Sequence, residues 1–500
     1  MSESSVSKPK SAMKFLVVGA GMAGVLMGIR LKQAGYSDYL VVEMGDKVGG
    51  TWRANHYPGL HCDVPSHHYC YSFEPYPEWS EVFSCGPEIR EYLEHTAVKY
   101  GVMPNIRFNT AARSATWDGA LWTVELSDGD TVLADVVISA TGGLRIPALP
   151  DIKGLDSFAG TTFHTTAWNH DIDLSDKNVG LIGTGSTAVQ ITCALSGKVK
   201  KLELFQRTAQ WVLLLPNADY TEEQKAGFRA NPETMTQLYN EFETATYVQT
   251  GGAIMGKDPE ARAGLIKNVE DNLASVRDPV LREKLRPDYE VGCKRLVMSP
   301  TFYEAVQDPT VELITDSIDH VEPRGIVTRD GRLHELDVLA LATGFDPNAY
   351  LRPMKVTGQN GMTLDELWAV RPIAYKSMGL PHMPNFFMIE GPFTPFGNLS
   401  LIRVAEWQVD YIMKCIDMIR EQGIAMAPRA DATARLMEQY REAAKTTIWA
   451  TGGCRSWYQD EEGVPIIYPY LAEQFRDEVK APLILEDWVI EPLKSVEPVS

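Results

Sequence analysis

Two stretches of this sequence decide its fold: Gly19-Ala20-Gly21-Met22-Ala23-Gly24 and Gly183-Thr184-Gly185-Ser186-Thr187-Ala188. The first follows the apolar run Lys14–Val18 and precedes the helix-like stretch Val25–Leu31, and the second follows Asn178–Ile182. A glycine turn between a strand and a helix presents the helix N-terminus to a pyrophosphate. Two such units in matched register predict an α/β protein with two Rossmann-like dinucleotide-binding domains.

The strand after each glycine motif ends in a residue that distinguishes the two nucleotides. After the first motif it ends in Glu43, whose carboxylate is placed to accept hydrogen bonds from ribose hydroxyls. At the same offset after the second motif stand Arg207 and Thr208, and a guanidinium there pairs with a 2′-phosphate. We therefore predict FAD at the first site and NADPH at the second. The predicted binding residues are Gly19, Gly21, Gly24 and Glu43 for FAD, and Gly183, Thr184, Gly185, Ser186, Thr187, Arg207 and Thr208 for NADPH.

Length and composition limit the class of protein. A chain of 500 residues is long enough for two or three domains. Its formal net charge of −19 argues against nucleic-acid binding, which needs a basic face. The seven cysteines include no CxxC pair and predict neither a disulfide framework nor a zinc site. The cysteines and histidines between positions 61 and 85 match no metal-ligand spacing, so we expect no metal, but partly buried thiols and loop histidines.

The N-terminal segment superficially resembles a secretory signal, because lysines precede the apolar stretch Phe15–Ile29. The glycines within that stretch and the following Glu43 fit a nucleotide fold better. No run reaches the roughly 18 apolar residues of a membrane span. We expect a soluble cytoplasmic protein without membrane association, whose first dozen residues are disordered.

The order of these segments predicts five parts of the chain. Both Val136–Ala140 and Val338–Ala342 run into a Thr-Gly turn, and this duplication supports two related nucleotide domains. The polar segment between them has prolines at 232, 259 and 279 that are typical of helix starts. We predict an FAD domain from 1–150 and 347–500, an NADPH domain from 151–217 and 289–346, and a helical insertion or lid at 218–288. A long helix is expected over Leu399–Arg420.

Two further motifs give the sequence a specific family resemblance. The segment Phe158–Asn169 reads F-A-G-T-T-F-H-T-T-A-W-N, and Gly49–Asp63 reads G-G-T-W-R-A-N-H-Y-P-G-L-H-C-D. The first resembles the F-x-G-x-x-x-H-x-x-x-W fingerprint of the type I Baeyer–Villiger monooxygenases, and the second resembles that family's G-G-x-W-x-x-x-x-Y-P-G-x-x-x-D signature. With both glycine motifs, the resemblance spans most of positions 14–400. Asn169 departs from the Pro or Asp that usually closes the fingerprint, which concerns the local turn.

The resemblance implies an enzyme that uses FAD, NADPH and O2 to turn a ketone into an ester or lactone. Reduced flavin forms a C4a-peroxide, whose anion attacks the ketone carbonyl to give a Criegee adduct. By the resemblance, Arg295 stabilises the anion and the developing alkoxide, and Asp63 lies near the flavin and orients the Arg295 guanidinium. Lys294 is expected to reach the NADPH phosphate, and Trp52 to pack against the flavin. A wet site would release hydrogen peroxide, so the insertion at 218–288 is expected to act as a lid.

The resemblance also assigns residues to domain coupling and to the second nucleotide. Phe158, Gly160, His164 and Trp168 form the fingerprint, and His164 is expected to support domain movement rather than act as a general base. Trp457 resembles a C-terminal tryptophan that contacts the nicotinamide ribose in relatives. The surrounding segment, 452–470, diverges from the better-known members. The sequence leaves the particular ketone and the oligomeric state open.

Three alternative functions remain at this point. An N- or S-oxygenating flavin monooxygenase would use the same FAD and NADPH sites, but the resemblance places Arg295 where it favours the peroxide anion, and that chemistry uses the protonated form. A pyridine nucleotide–disulfide reductase needs a redox-active cysteine pair, and Cys62 and Cys70 are too widely spaced for one. A non-catalytic redox sensor on the same fold is the third alternative.

Overall fold

The computed structural model describes residues 9–397 and 399–493. Of the first dozen residues, which we expected to be disordered, residues 1–8 lie outside the described part. Lys10–Ala12 form a 3₁₀ turn instead, and the Lys10 ammonium donates to the Ala34 carbonyl at 2.7 Å. That expectation is therefore wrong for the residues that the structure describes there.

The strands in the described residues have the following bounds: β1 (Lys14–Val18), β2 (Asp38–Val42), β3 (Ile106–Arg107), β4 (Ala112–Trp117), β5 (Trp122–Leu126), β6 (Thr131–Ala134), β7 (Val136–Ser139), β8 (Thr161–His164), β9 (Asn178–Ile182), β10 (Lys201–Phe205), β11 (Val212–Leu213), β12 (Val297–Met298), β13 (Val311–Ile314), β14 (Ile318–Glu322), β15 (Gly325–Thr328), β16 (Leu333–Glu335), β17 (Val338–Leu341), β18 (Lys355–Thr357), β19 (Phe386–Met388), β20 (Ile424–Pro428) and β21 (Trp488–Pro492).

The α-helices in the same residues are α1 (Met22–Gln33), α2 (Thr51–Ala54), α3 (Gly86–Lys99), α4 (Ser186–Leu195), α5 (Glu222–Ala230), α6 (Pro232–Glu243), α7 (Gly251–Ile254), α8 (Pro259–Ala274), α9 (Pro279–Lys284), α10 (Phe302–Ala305), α11 (Leu364–Leu367), α12 (Leu401–Gln422), α13 (Ala430–Ala444), α14 (Ile448–Thr451) and α15 (Ala472–Lys480). A π-helical segment, Thr244–Thr250, joins α6 to α7.

The first sheet is parallel, with strand order β19-β7-β1-β2-β3. Its strands β1 and β7 are almost completely buried, as expected for a sheet covered on both faces. Strand β19 comes from far along the chain, so the polypeptide returns to this sheet after the second nucleotide unit. A four-stranded sheet, β18-β4-β5-β6, packs beside it, and its strands β4, β5 and β6 form an antiparallel meander.

The second sheet is also parallel, with order β13-β10-β9-β17-β8. Strand β8 contains the middle of the fingerprint, from Thr161 to the histidine, and lies at the edge of the sheet, paired with β17. The two doubly wound sheets confirm the predicted fold class. The domain boundaries at 150, 217, 288 and 346 stay predictions.

Helices α5 to α9 lie between strands β11 and β12, which pair with each other. Three of these helices begin at the prolines that the sequence singled out, since proline at the first helical position loses no hydrogen bond. The side chains of Asp258 and Asp278 cap α8 and α9, and Thr221 forms a capping box at α5. From Glu222 to Lys284 the segment consists of helices joined by short connections, and the pairing of β11 with β12 holds the two ends of the segment together.

The long helix α12 runs from Leu401 to Gln422, two residues later at each end than predicted. It ends at Gly423 in the left-handed conformation, which glycine adopts without steric cost. Among the described residues, none of the helices combines the length and apolar character that crossing a bilayer requires.

The structure adds one disulfide that the cysteine spacing did not predict. Cys293 and Cys454 are bonded across 161 positions of sequence, and the other five cysteines are free. A pair so far apart leaves no local spacing pattern, so sequence motifs could not reveal it. The expected loop histidines His67 and His68 do lie in a loop, but both are buried, at 1% and 0% exposure.

Candidate functional site

A cavity of about 680 Å³ opens at the carboxyl ends of the first parallel sheet. Ligands of doubly wound folds bind at this edge of the sheet. The first glycine motif lines the cavity at one place, and Asp63 and Arg295 line it at another. Its volume falls in the range of cofactor-sized pockets.

In the first glycine turn, backbone segments lie so close together that only glycine fits. Gly19 has φ +106°, and a Cβ there would lie 2.5 Å from the Ala140 carbonyl oxygen. A Cβ on Gly24 would lie 1.8 Å from the Gly19 carbonyl oxygen. Larger residues would therefore push the α1 N-terminus away from the turn, and with it the amides that face a pyrophosphate.

Glu43 lies directly after β2, is 8% exposed and lines the cavity. Its carboxylate accepts hydrogen bonds from the backbone N–H groups of Ala20 and Gly45, each at 2.7 Å. These bonds fix the carboxylate beside the glycine turn. The turn, the helix N-terminus and this carboxylate form a donor and acceptor set that fits the pyrophosphate and ribose of FAD.

Trp52 lies in the short helix α2 and also lines the cavity. Its indole N–H donates to the Tyr69 hydroxyl at 3.2 Å, and the two rings meet edge to face at 5.5 Å between centroids. Burial raises the pKa of Tyr69 well above its ordinary value. Tyr69 is thus a neutral hydroxyl in the cavity wall, which the motifs in the sequence did not identify.

Arg295 and Asp63 form an ion pair in the cavity wall, although 232 positions separate them in sequence. Their side chains are 25% and 14% exposed, respectively. Burial opposes the charge on Arg295, but the neighbouring Asp63, Tyr458 and Cys62 raise its pKa above the ordinary value overall. Arg295 therefore remains a cation at all physiological pH values.

The Arg295 guanidinium retains an unused donor. Its Nε is buried and has no hydrogen-bond partner among the described residues. A buried donor without a partner costs free energy, which a bound ligand offsets by accepting the bond. Asp63 therefore fixes one end of the guanidinium while leaving donor capacity for the contents of the cavity.

The loop that carries Arg295 is fixed from two directions. Cys293 is bonded to Cys454, and the Glu290 N–H donates to the Gly452 carbonyl at 2.9 Å. On the other side, the chain enters β12, which pairs with β11. The C-terminal segment from 452 onward thus positions the loop.

A second cavity, of about 330 Å³, lies where β10 ends. Its lining includes the cations Arg207, Lys284 and Arg286 and one carboxylate, Asp288. Thr184 of the second glycine motif donates to the Thr208 carbonyl at 2.7 Å, which ties the turn to this site. The excess of positive charge fits the 2′-phosphate of NADPH.

Lys294 adds to the positive charge near this site. Its Nζ lies over the Tyr289 ring, 4.8 Å from the centroid. Burial lowers the pKa of Lys294, and the charge of Arg207 lowers it further. In the described structure neither cation is paired with a carboxylate, so an anion between them would stabilise both.

Helix α4, which follows the second glycine motif, also borders the larger cavity. Ser186 and Thr187, at its start, line the larger cavity together with Gln190. Gln190 accepts from the Tyr57 hydroxyl at 2.9 Å and donates to the His61 carbonyl at 2.9 Å. The Gly49–Asp63 signature is therefore hydrogen-bonded to α4, the helix that follows the second glycine motif. At Gly185 a Cβ would meet nothing within 4 Å, which leaves open space at the helix N-terminus.

The fingerprint histidine connects strand β8 to the second Thr-Gly turn. His164 Nε2 lies 3.0 Å from the Gly344 carbonyl oxygen, and Nδ1 accepts from the Thr166 N–H at 3.3 Å. These partners require a neutral ring with its proton on Nε2. Burial lowers the pKa of His164, which favours the same neutral form. The ring is not among the residues that line the larger cavity.

The other three fingerprint residues take part in packing of the second sheet and its surroundings. A Cβ on Gly160 would lie 2.4 Å from the Asp337 carbonyl oxygen, so β8 can approach β17 closely only with glycine there. Trp168 is 5% exposed and packs edge to face on Phe163 at 5.0 Å. Phe158 packs against the core of the second sheet.

Trp457 does not line the larger cavity in this structure, and it is 39% exposed. Its ring packs on Phe396 at 5.2 Å and on Tyr458 at 4.4 Å, and Phe396 does line the cavity. Its expected contact with the nicotinamide ribose stays a prediction, as do the roles assigned to the other site residues.

Comparisons with known proteins agree with this architecture. A family model described as pyridine nucleotide-disulphide oxidoreductase matches residues 16–221. An uncharacterized monooxygenase of Mycobacterium tuberculosis is 44% identical over 462 residues, 92% of each chain. A Baeyer-Villiger monooxygenase of Streptomyces coelicolor is 37% identical over 489 residues, 95% of this chain and 92% of that one. The solved structure of OTEMO in complex with FAD and NADP has a TM-score of 0.84 at 27% identity and covers 96% of this chain and 99% of that one.

The two parallel sheets with their glycine turns, together with these relatives, identify a flavoprotein monooxygenase that uses FAD and NADP(H). Within that class, the chain belongs to the Baeyer–Villiger monooxygenases. The family resemblance, the enzyme class and both cofactors predicted from the sequence are confirmed.

Proposed function

We propose that this enzyme inserts one atom of O2 next to the carbonyl carbon of a small-molecule ketone and releases an ester or a lactone. The observation that carries the proposal is the Arg295–Asp63 pair in the wall of the FAD cavity, beside the N-terminus of the NADPH-site helix. An N- or S-oxygenating enzyme has no need of a fixed cation at the reacting oxygen. Sulfoxidation is therefore a side activity at most.

When bound, FAD reduced by NADPH supplies the activation of O2. Arg295 then stabilises negative charge on the attacking oxygen and on the former carbonyl oxygen of the substrate. Its pKa lies above the ordinary value, so it exchanges no proton with either oxygen. The charge is already in place before the reaction, which avoids reorganisation of solvent during the step.

Asp63 acts on the reaction through Arg295. A mobile guanidinium would lose side-chain conformational entropy each time it contacted the reacting oxygen, and this loss would raise the free energy of the step. The ion pair fixes its plane, while its unpartnered Nε remains a donor. Asp63 is thus a positioning residue, and its loss would be expected to lower turnover more than nucleotide affinity.

Arg207 and Lys294 bind the 2′-phosphate of NADPH in this proposal, and the first turn of α4 binds its pyrophosphate. Residues 218–288 cover the site against water, and His164 couples strand β8 to the turn at Gly344. Together these groups orient the nicotinamide relative to FAD and keep the reacting oxygen dry.

The test is product analysis with purified holoenzyme, NADPH and ¹⁸O2. Linear, cyclic and aryl ketones are offered separately, with a thioether as the competing substrate class. We expect one labelled oxygen next to the carbonyl of at least one ketone. Labelled sulfoxide with no ester or lactone from any ketone would assign the enzyme to heteroatom oxygenation and contradict the proposal.

A further inference from the structure

Glu390 lies where the strand order of the first sheet places the flavin half of FAD. Glu43 follows β2, and the pyrophosphate turn follows β1. Continuing in the same direction, the sheet order passes from β1 to β7 and then to β19. Glu390 is two residues beyond the end of β19 and lines the larger cavity. No motif in the sequence marks Glu390, although a carboxyl group at a strand's carboxyl end is a recognisable signal.

The backbone at Glu390 is held in one conformation. Its φ of +59° lies in the left-handed region, which costs free energy for a residue with a side chain. Its N–H donates to the Gln408 side-chain oxygen on α12 at 2.8 Å. A Cβ on the following residue, Gly391, would lie 2.3 Å from the Ser377 carbonyl oxygen, so the chain cannot shift outward there. Strain retained at a ligand cavity points to a positioned side chain.

The cost of burying the Glu390 carboxyl group is not offset by a hydrogen bond to its Oε1 or by an ion pair within the described residues. Its Oε1 is buried and has no hydrogen-bond partner among the described residues. In the described structure no cation is paired with it, and Arg295, a cation that lines the same cavity, is paired with Asp63. Burial raises the pKa of Glu390 to about 8. A carboxyl group in this environment keeps its proton at neutral pH and is then a hydrogen-bond donor.

The charged and titratable neighbours of Glu390 do not alter this state. On α12, Glu406 is paired with Arg403 and accepts from the Ser72 N–H. In the cavity wall, the Tyr69 hydroxyl has a pKa that Glu390 raises, after burial and the Cys62 thiol. Tyr69 is therefore neutral whenever Glu390 titrates, and Asp63 remains neutralised by Arg295.

We propose that Glu390 holds a proton in the flavin cavity and donates a hydrogen bond from its carboxyl group to an acceptor atom of the FAD ring. The edge of the ring carries carbonyl oxygens and unprotonated nitrogens, which accept such a bond. The reduced ring carries more negative charge, so the donated bond stabilises the reduced cofactor. Loss of the proton would place a carboxylate against that charge and destabilise the reduced form.

The experiment measures bound FAD rather than turnover. The absorption spectrum and the midpoint potential of the holoenzyme are recorded between about pH 6 and pH 10 for the wild type, Glu390→Gln and Glu390→Leu. In the wild type we expect the flavin spectrum to change with one titration, with a midpoint near the pKa of Glu390, about 8. Over the same range the potential should fall more steeply than in Glu390→Gln, which donates but does not titrate.

Glu390→Leu removes the donor, so its midpoint potential at neutral pH is expected to lie below those of the wild type and Glu390→Gln. Glu486→Gln, which removes an exposed carboxyl group, is the matched control and should behave as wild type. FAD content is measured in each variant, and if Glu390→Leu does not fold, the comparison with Glu390→Gln decides. Identical spectra and identical pH dependence of the potential in the wild type and Glu390→Gln would overturn the proposal. This outcome is independent of which substrate is oxygenated.

Discussion

In the proposed mechanism the chemistry depends on one guanidinium, that of Arg295, whose two ends have different environments. One side of Arg295 is paired with Asp63, and its buried Nε has no partner among the described residues. In the proposed mechanism the fixed charge does not help NADPH reduce FAD, but it stabilises the negative oxygen atoms formed afterwards. Its contribution is therefore expected in the oxygen-insertion half of the cycle.

Arg295→Ala should retain reduction of FAD by NADPH and lose ester or lactone formation by at least about 100-fold, the usual effect of removing an oxyanion-stabilising donor. Anaerobic stopped-flow absorbance measures the first step, and chromatographic product analysis measures the second. Arg324→Ala, at an exposed arginine of the second domain, is the control. Undiminished ester yield in Arg295→Ala would remove this residue from the mechanism.

Arg207 should determine the choice between the two nicotinamide nucleotides. Arg207→Ala is expected to weaken NADPH binding by roughly 1.5–3 kcal/mol, the range of a charge-assisted hydrogen bond. NADH binding should change little, because NADH has no 2′-phosphate. Apparent affinities from anaerobic flavin reduction at varied nucleotide concentration measure both. Equal losses for NADPH and NADH would be inconsistent with the 2′-phosphate assignment.

At the scale of elements, helices α5 and α6 cover two buried histidines. The His67 ring packs against Phe228 of α5 at 4.6 Å, and the His68 ring packs against Tyr239 of α6 at 4.8 Å. All four ring nitrogens lack a hydrogen-bond partner among the described residues. Burial lowers the pKa of His67 to about 4 and that of His68 to about 3. For His68 the charge of Arg403 contributes as well.

These shifts predict that acid loosens the contact between the helical insertion and the FAD domain. Both folded-state pKa values lie below the ordinary 6.5. As pH falls below about 6.5, the unfolded chain therefore binds protons that the folded chain does not, and stability decreases. Above about 6.5 the two histidines contribute no pH dependence.

The unfolding temperature of the holoenzyme is measured from pH 8 to about pH 5, above the range where most carboxylates titrate. We expect it to fall below about pH 6.5 in the wild type and to fall less in the double variant His67→Phe, His68→Phe. The variant His95→Gln is the control, because it removes an exposed histidine of α3. Equal slopes in the wild type and the double variant would contradict this account.

At the scale of the whole molecule, segments far apart in sequence meet around the FAD cavity. The loop before β12 supplies Arg295, the segment after α2 supplies Asp63, and the chain after β19 supplies Glu390. The Cys293–Cys454 bond joins the first of these segments to the C-terminal region. The site is therefore complete only when the chain has returned from the second sheet to the first.

The disulfide has a direct chemical test. Denatured protein that has not been treated with a reductant should show five reactive thiols, and reduced protein should show all seven. Cys454→Ser should show six without reductant, since Cys293 then loses its partner. Seven thiols in protein isolated under oxidising conditions would mean that the bond does not form in solution.

The sequence by itself determined the features that arise from neighbouring residues. Glycine turns between a strand and a helix, prolines at helix starts and the ends of β2 and β10 depend on sterics and hydrogen bonds within a few residues. Both parallel sheets, the helical segment 222–284 and both cofactors could therefore be predicted. The family motifs added Arg295 and Asp63 as members of one site.

Only the tertiary structure decided which distant groups meet and in what environment. No local pattern links Cys293 to Cys454, and nothing near Glu390 in sequence shows that its Oε1 is buried without a partner among the described residues. The same holds for His67 and His68, which the sequence places in a loop and the insertion buries. The physical reason is that covalent neighbours fix turns and helix ends. Burial, pKa and ion pairing depend instead on segments brought together by packing of the whole chain.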